Sequence, residues 1–469
     1  MRTRIGVVGG GLAGITAALR CADAGAEVTL FEGRSRLGGV AGSFRRAAGD
    51  GVLDVDTGQH VFLRCCSAYR GLLDRLGVAD LVTLQDRLDI PVHGPGARPG
   101  RLRRTGLPAP LHMGAALLGH RPLPLRDRLR LGVAALALRG VDAADPATDA
   151  QSFGAWLGAH GQSPRAVDTL WDLVGIATLN ERARGASLAL AATVFQLGLL
   201  TDAAAGDIGW ARVPLGRLHD EAARRALREA GVAVRTSTKV RSLHPADQGW
   251  QIEVEEEELV MDGVICAVPP PAAHTLLPDG ALDLPPGWVE GLGSSPIVNV
   301  HVVYDRTVLN TPFAAGIDTP VQWVFDRTGQ SGLHRVHPAP AQYLAVSLSA
   351  ADDVIGEPVA VLRERMLPAL VALLPAARDA EVLEFFVTRE PHATFRPAPG
   401  TAALRPPART ALPGLAVAGA WTATGWPATM EGAVRSGEAA ADVLCGSAAR
   451  TRMTSPGRRS PRTTVRGAA

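Results

Sequence analysis

Residues 5–14 read Ile5-Gly6-Val7-Val8-Gly9-Gly10-Gly11-Leu12-Ala13-Gly14, a β-branched run that breaks at three consecutive glycines. Arg4 to Val8 predicts a buried strand, Leu12 to Ala24 a helix, and Glu27 to Phe31 a second strand closing on Glu32. Gly9, Gly11 and Gly14 match the spacing GxGxxG between that strand and helix, and Glu32 stands eighteen residues past Gly14. Gly9 permits the tight turn, Gly11 lets the backbone approach a pyrophosphate, and Gly14 lets helix and strand pack closely. The helix N-terminus, with Leu12 and Ala13 in its first turn, then faces the negative charge. Glu32 would accept hydrogen bonds from an adenosine ribose.

Farther along the chain, Gly216 to Gly231 predicts a helix with a glycine stop. Val232 to Arg235, Thr238 to Leu243, Trp250 to Val254 and Val260 to Ala267 predict strands, ended by Pro269 to Pro271. Leu107 to Leu200 is rich in Leu and Ala at helical spacing, broken by prolines such as Pro146 and Pro164, and reads as a helical insertion. Strand patterns return at Ile297 to Tyr304, Val321 to Asp326, Gln342 to Leu348 and Val382 to Thr388, with a helix at Pro358 to Leu374. Leu415 to Gly419 predicts a last buried strand, and a helix follows from Thr429 to Leu444. The expected fold is α/β and α+β. A Rossmann-like dinucleotide-binding domain is assembled from residues 1–90, 208–290 and 390–446, and a substrate domain of mixed sheet plus helices occupies 91–207 and 291–389. Residues 447–469 predict a disordered basic tail.

Composition narrows the function. The chain has 469 residues, 46% of them apolar and 20% charged, enough for large cores and too little charge for general disorder. Its net charge is +2, but six arginines stand in the last twenty residues with no acid among them, so the rest of the chain is net acidic and a nucleic-acid partner is disfavoured. Five cysteines in no CxxC spacing suit neither zinc nor a disulfide framework, so a cytoplasmic location and no metal are expected. No apolar stretch reaches the roughly 20 residues of a membrane span.

Further strings sharpen the reading. Glu32-Gly33-Arg34-Ser35-Arg36-Leu37-Gly38-Gly39 follows the second strand, Asp54-Val55-Asp56-Thr57-Gly58-Gln59-His60 comes next, and Gly419-Ala420-Trp421-Thr422 and Met430-Glu431-Gly432-Ala433 close the chain. Together they resemble the flavin amine oxidase and carotenoid desaturase superfamily over residues 4 to about 445. The resemblance implies noncovalent FAD. Its ADP half would be held by Gly9, Gly11, Leu12, Ala13, Gly14, Glu32, Gly33, Arg34, Gly38 and Gly39, with Val240 near the adenine. Gly58, Gln59, Gly419, Ala420, Met430, Glu431 and Ala433 would serve the flavin half. Two positions depart from the family pattern: Val40 stands where a cation is usual after the glycine pair, and Ala420 where an Asp is usual.

At finer grain Asp56-Thr57-Gly58-Gln59-His60-Val61-Phe62-Leu63, Val321-Gln322-Trp323-Val324-Phe325-Asp326-Arg327 and Trp421-Thr422-Ala423-Thr424-Gly425-Trp426-Pro427-Ala428-Thr429-Met430 resemble the squalene-associated branch, the hydroxysqualene dehydroxylases. This resemblance implies reductive dehydroxylation of hydroxysqualene to squalene, a long-chain isoprenoid substrate, and a functional link to other squalene-pathway enzymes in hopanoid synthesis. His60 is the expected proton donor, with Trp421 and Trp426 lining an apolar channel. Leaving hydroxyl chemistry needs a proton for the oxygen and a hydride for the carbon. Polyprenoid desaturation by the same flavin and a non-enzymatic prenyl-lipid escort are the competing readings. Arg121, Arg126, Arg128, Arg130 and Arg139 interleave with leucines in the helical insertion, a pattern suited to peripheral contact with the inner face of the plasma membrane.

Overall fold

The structure, a computed structural model, describes residues 2–255 and 257–446. The expected basic tail lies outside the described residues.

The opening motif folds as read: β1 (Arg4–Val8), α1 (Leu12–Asp23) and β2 (Glu27–Phe31). They found a five-stranded parallel sheet in the order Ala233–Arg235, β2, β1, Gly263–Cys266, Leu415–Val417. Three distant stretches of chain thus share one sheet. The chain adds strands on one side of β1 first and then crosses to the other, so the crevice at the carboxyl end of β1 is a topological switch point, where such sheets bind ligands. Val260 to Ala267 is not one strand. Asp262 breaks it, its side chain accepting the Arg4 N–H at 2.7 Å. Glu257–Met261 joins an antiparallel sheet with Val240–Pro245 and Trp250–Val254, while Gly263–Cys266 pairs with β1. A continuous apolar run concealed two strands of different sheets.

The helical insertion forms as expected, and two of its prolines start helices rather than merely break them. Pro146 and Pro164 are first-turn residues behind Asp145 and Ser163, whose side chains accept N–H groups of Ala147 and Ala166. The layer is held by Phe153, Trp156, Trp171 and Phe195, all in mutual ring contact or one contact removed. Its outer helix is α2 (Leu125–Arg139). Leu131, Ala134 and Leu138 face inward, while Leu125, Leu129, Val133 and Leu136, three or four residues apart, are exposed.

A second sheet of seven strands runs in the order Val382–Thr394, Ser295–Tyr304, Gln342–Ser349, Trp323–Asp326, Phe313–Gly316, Asp89–His93, Gly100–Arg103. Alternation along Ser295–Tyr304 sends Val298, Val300 and Val302 toward the helix Val359–Leu373, which meets them with Leu362, Met366 and Leu370. Ile297 and Asn299 face the other way. The strands Asp89–His93 and Val382–Thr394 run across the expected boundaries at 90/91 and 389/390.

The last helix, α3 (Met430–Cys445), lies against α1. Gly437 makes the approach possible: a Cβ there would stand 2.2 Å from the Ala13 carbonyl oxygen. This contact carries the α3 N-terminus to the α1 N-terminus, although 418 residues of sequence separate Met430 from Leu12.

Candidate cofactor and substrate cavity

One large cavity of about 1420 Å³ opens at the carboxyl end of β1 and extends into the helical layer. A site for a single drug-sized molecule spans roughly 300–1,000 Å³, so this volume accommodates more than one.

At its first end the chain leaves β1 through Gly9, whose φ of +109° lies in the region that favours glycine. Gly11, Leu12 and Ala13 line the cavity, and a Cβ on Gly11 would meet nothing within 4 Å. This is open space in front of a helix N-terminus. Gly14 is not on the wall; it packs beneath Gly9, where a Cβ would fall 1.9 Å from the Gly9 carbonyl oxygen. Gly14 shapes the turn without reaching a ligand. Glu32 is fixed by two backbone donors, Gly10 N–H at 2.7 Å and Arg34 N–H at 2.8 Å. Each carboxylate oxygen keeps capacity for a further donor. Gly33, Arg34, Lys239 and Val240 stand on the wall beside it, and Gly38, Gly39 and Val40 close over the first turn of α1. Among the described residues, the Arg and Lys side chains on the wall are Arg34 and Lys239.

At the second end Gly419, Ala420, Trp421, Met430 and Ala433 are brought to the same cavity. Thr429 caps α3, its hydroxyl accepting Gly432 N–H at 3.1 Å, and Ser436 accepts Gly419 N–H at 2.8 Å. Trp421 donates its indole N–H to the Val268 carbonyl and stacks on Trp288 at 5.5 Å between ring centroids. Two expected residues are elsewhere. Trp426 is not on the wall; it packs in the core beside α1, with the Arg435 guanidinium 5.1 Å from its ring centre. Glu431 also points away, because its carboxylate is taken up by the start of the helix Ser67–Arg75, accepting N–H groups of Tyr69 at 2.8 Å and Ala68 at 3.2 Å. It also pairs with Arg435 at 2.7 Å. Glu431 ties two helices together instead of touching a ligand.

Between the two ends lie Gly58, Gln59 and His60. The strand that precedes them, Gly51–Asp56, is anchored by Asp56, which pairs with buried Arg327 and accepts a hydrogen bond from Ser43 Oγ at 2.6 Å and from Leu215 N–H at 2.9 Å. Gln59 Oε1 is buried and has no protein partner among the described residues. His60 Nδ1 lies 3.1 Å from the Gly58 carbonyl oxygen, which fits the tautomer protonated at Nδ1 and leaves Nε2 to meet a ligand. Burial lowers the His60 pKa below its ordinary value, and nearby Arg327 adds to that, opposed by Gly58 and Asp56. Behind it Tyr69 OH lies 2.9 Å from His219 Nε2, and His219 Nδ1 lies 2.6 Å from the Ala41 carbonyl oxygen.

The remaining arm is apolar. Phe313, Trp323 and Phe325 from the seven-stranded sheet face Trp171, Val174 and Phe195 from the helical layer. It reaches the surface where Leu111, Leu129, Val133 and Leu136, each more than half exposed, also form the rim. Sequence reasoning missed Trp288 and Val268, which brace Trp421; nothing in their local pattern announces a partner more than a hundred residues away.

These features fit FAD. The open helix N-terminus suits a pyrophosphate, the oriented Glu32 suits a ribose, the orphan Gln59 oxygen suits an N–H donor, and a second helix N-terminus meets the cavity at Met430. No group of three or more His, Cys, Asp or Glu that could hold a metal occurs among the described residues.

Comparison with known proteins agrees with this geometry. The family model described as flavin containing amine oxidoreductase matches residues 12–445. A hydroxysqualene dehydroxylase of Sinorhizobium fredii is 28% identical over 463 residues, covering 94% of this chain and 98% of that protein. A zeta-carotene desaturase of Synechocystis sp. is 26% identical over 488 residues, covering 95% and 98%. Cyclohexylamine oxidase from Brevibacterium oxydans shares the fold, with a TM-score of 0.70 at 18% identity over 95% of this chain and 99% of that one.

Proposed function

The chain belongs to the family of flavin containing amine oxidoreductases and is an FAD-dependent oxidoreductase, and from that premise we propose that it reduces hydroxysqualene to squalene with release of water. The observation that carries the reading is the continuity of one cavity from the α1 N-terminus, past His60 and the α3 N-terminus, into an apolar arm with an exposed leucine rim. Relatives that act on hydroxysqualene and on carotene both support a long-chain isoprenoid as substrate.

Bound FAD, in its reduced form, supplies the hydride. The chain's residues do the rest. The carbon–oxygen bond breaks, the carbon takes the hydride, and the departing oxygen takes a proton to leave as water. Protonated His60, held by Gly58 through Nδ1, gives that proton from Nε2. Because burial lowers its pKa, the imidazolium is a stronger acid than an exposed one, at the cost of being sparse near neutral pH. Phe313, Trp323 and Phe325 hold the hydrocarbon and exclude water from the reacting end. Gly11, Glu32 and Arg34 hold the ADP half, and the α3 N-terminus favours negative charge on the flavin half. Noncovalent binding is part of this reading: among the described residues no cysteine thiol is on the cavity wall.

A water-insoluble substrate has to come from a bilayer. No described helix is long and apolar enough to cross a membrane. Instead Leu125, Leu129, Val133 and Leu136, with Leu107, Leu111 and Leu118, form an apolar surface around the rim, and exposed Arg121, Arg126 and Arg139 flank it. Arg128 and Arg130 are spent on carbonyl groups of Leu118, Leu123 and Gly161. Such a face suits peripheral contact with an anionic cytoplasmic leaflet. The enzyme then stands between the reaction that makes hydroxysqualene and those that consume squalene.

The deciding experiment is an anaerobic incubation of the purified protein, flavin reduced beforehand, with hydroxysqualene, followed by mass spectrometry. Squalene appears if the reading is right. Turnover only with oxidised flavin and a more saturated polyprenoid would make the protein a desaturase, and a preparation that never takes up FAD would leave a lipid escort.

A further inference from the structure

The loop from Ala418 to Thr429 joins the last strand of the parallel sheet to α3 and has no regular structure, yet Gly419, Ala420 and Trp421 form cavity wall. Something must fix it. Arg405, 6% exposed, sits behind this loop. Its Nη2 lies within hydrogen-bond distance of the carbonyl oxygens of Ala420 (3.2 Å), Thr422 (2.7 Å) and Trp426 (2.7 Å) and of Thr424 Oγ1 (3.3 Å), and its Nε donates to the Trp421 carbonyl at 3.3 Å. Phe395 covers the guanidinium, 4.7 Å from its ring centre. Among the described residues no carboxylate comes within salt-bridge distance of it. Burial pulls the Arg405 pKa down to about 10, with Asp149 opposing, so the group keeps its charge at neutral pH.

The consequence follows from the planarity of the peptide. A trans peptide whose carbonyl turns toward Arg405 turns its N–H the other way. The carbonyl of Ala420 belongs to the same peptide as the N–H of Trp421, and that N–H has no acceptor among the described residues. Met430 N–H, at the start of α3, is likewise without one. Five carbonyl and hydroxyl oxygens gathered on one cation would repel each other without it.

We infer that Arg405 is a positioning residue for the cofactor: by holding the Ala420 carbonyl within the loop Ala420–Trp426 it turns the Trp421 N–H outward as a donor to FAD, and it places an unpaired positive charge behind that donor. This rests on the FAD reading above. A lysine could keep the charge but not the fork that reaches several oxygens at once. A neutral side chain would lose both.

The test compares wild type, Arg405→Lys and Arg405→Gln by FAD titration of the apoprotein and by the midpoint potential of the holoprotein. Arg405→Gln should bind FAD at least tenfold more weakly and have a lower potential, because reduced, anionic flavin loses a nearby positive charge. Arg405→Lys should lose part of the affinity and retain most of the potential, a split that a purely structural role would not give. Wild-type affinity and potential in Arg405→Gln would overturn the inference. Should circular dichroism find that variant unfolded, Arg405→Lys decides, and unchanged affinity in it overturns the inference. A wild-type protein that takes up no FAD would instead sink the cofactor reading.

Discussion

His60 is the residue on which the proposed chemistry turns, and its surroundings make it testable. Its proton is available only in the imidazolium form, whose fraction falls once pH rises through a value below the ordinary histidine pKa. Dehydroxylation should therefore slow as pH rises from 5 to 8, and His60→Gln should cost roughly 10²-fold in rate and flatten that slope. A variant with wild-type rate and slope, measured at saturating substrate, would remove His60 from catalysis. Legibility differed among its neighbours for a physical reason. Gly9, Gly11 and Glu32 stand within a few tens of residues of one another, so their spacing was enough to place them together at the cavity. Glu431 and Trp426 did not, because what claims Glu431 is the N-terminus of a helix 362 residues away in sequence, and a carboxylate in a first helical turn looks the same whether it caps its own helix or another.

Among elements, α2 departs most from the usual pattern, because it carries leucines on both sides. One set, Leu131, Ala134 and Leu138, is spent on the core, and the other, Leu125, Leu129, Val133 and Leu136, is left outside. Sequence showed interleaved Arg and Leu but could not divide the leucines, since the boundary between the sets depends on where the layer beneath ends. Leu129→Asp with Val133→Asp should abolish sedimentation with vesicles containing anionic lipid while leaving FAD content unchanged, since neither residue lies on a buried face. Undiminished sedimentation would remove α2 from membrane contact. The junction of α1 with α3 makes the opposite demand. Gly437→Leu would drive a side chain into the Ala13 carbonyl, and forcing the helices apart should destabilise the protein by ~2 kcal/mol or more and reduce FAD uptake together. FAD uptake equal to wild type would show that the two N-termini need not meet.

Over the whole molecule, several buried histidines stay neutral in the folded chain. Burial pulls His219 down to about 4 and His301 down to about 3. Both values lie below the unfolded one of about 6.5, so the unfolded chain binds more protons as pH falls and stability is lost below 6.5. Between pH 6.5 and 5, before carboxylates titrate, each histidine should remove about 1.5 kcal/mol, read as a fall in the urea midpoint. A constant midpoint over that window would contradict their neutral burial. At this scale the sequence carried the architecture further than the site. The glycine pattern and the last helix indicated a sheet built from separate stretches, as found. The break at Asp262 stayed hidden, because Val260 to Ala267 has one hydropathy and two different neighbours. An apolar channel was expected but its lining was not, since Phe313, Trp323, Phe325, Trp171 and Phe195 meet only when sheet and helical layer close on each other.

In the proposed reaction flavin and a long hydrocarbon share this cavity and react there. Mixing anaerobically reduced holoprotein with hydroxysqualene in a stopped-flow spectrometer tests it most directly. Oxidised-flavin absorbance should return with one squalene formed per flavin, whereas a spectrum that stays reduced, with the substrate recovered intact, would exclude this reaction.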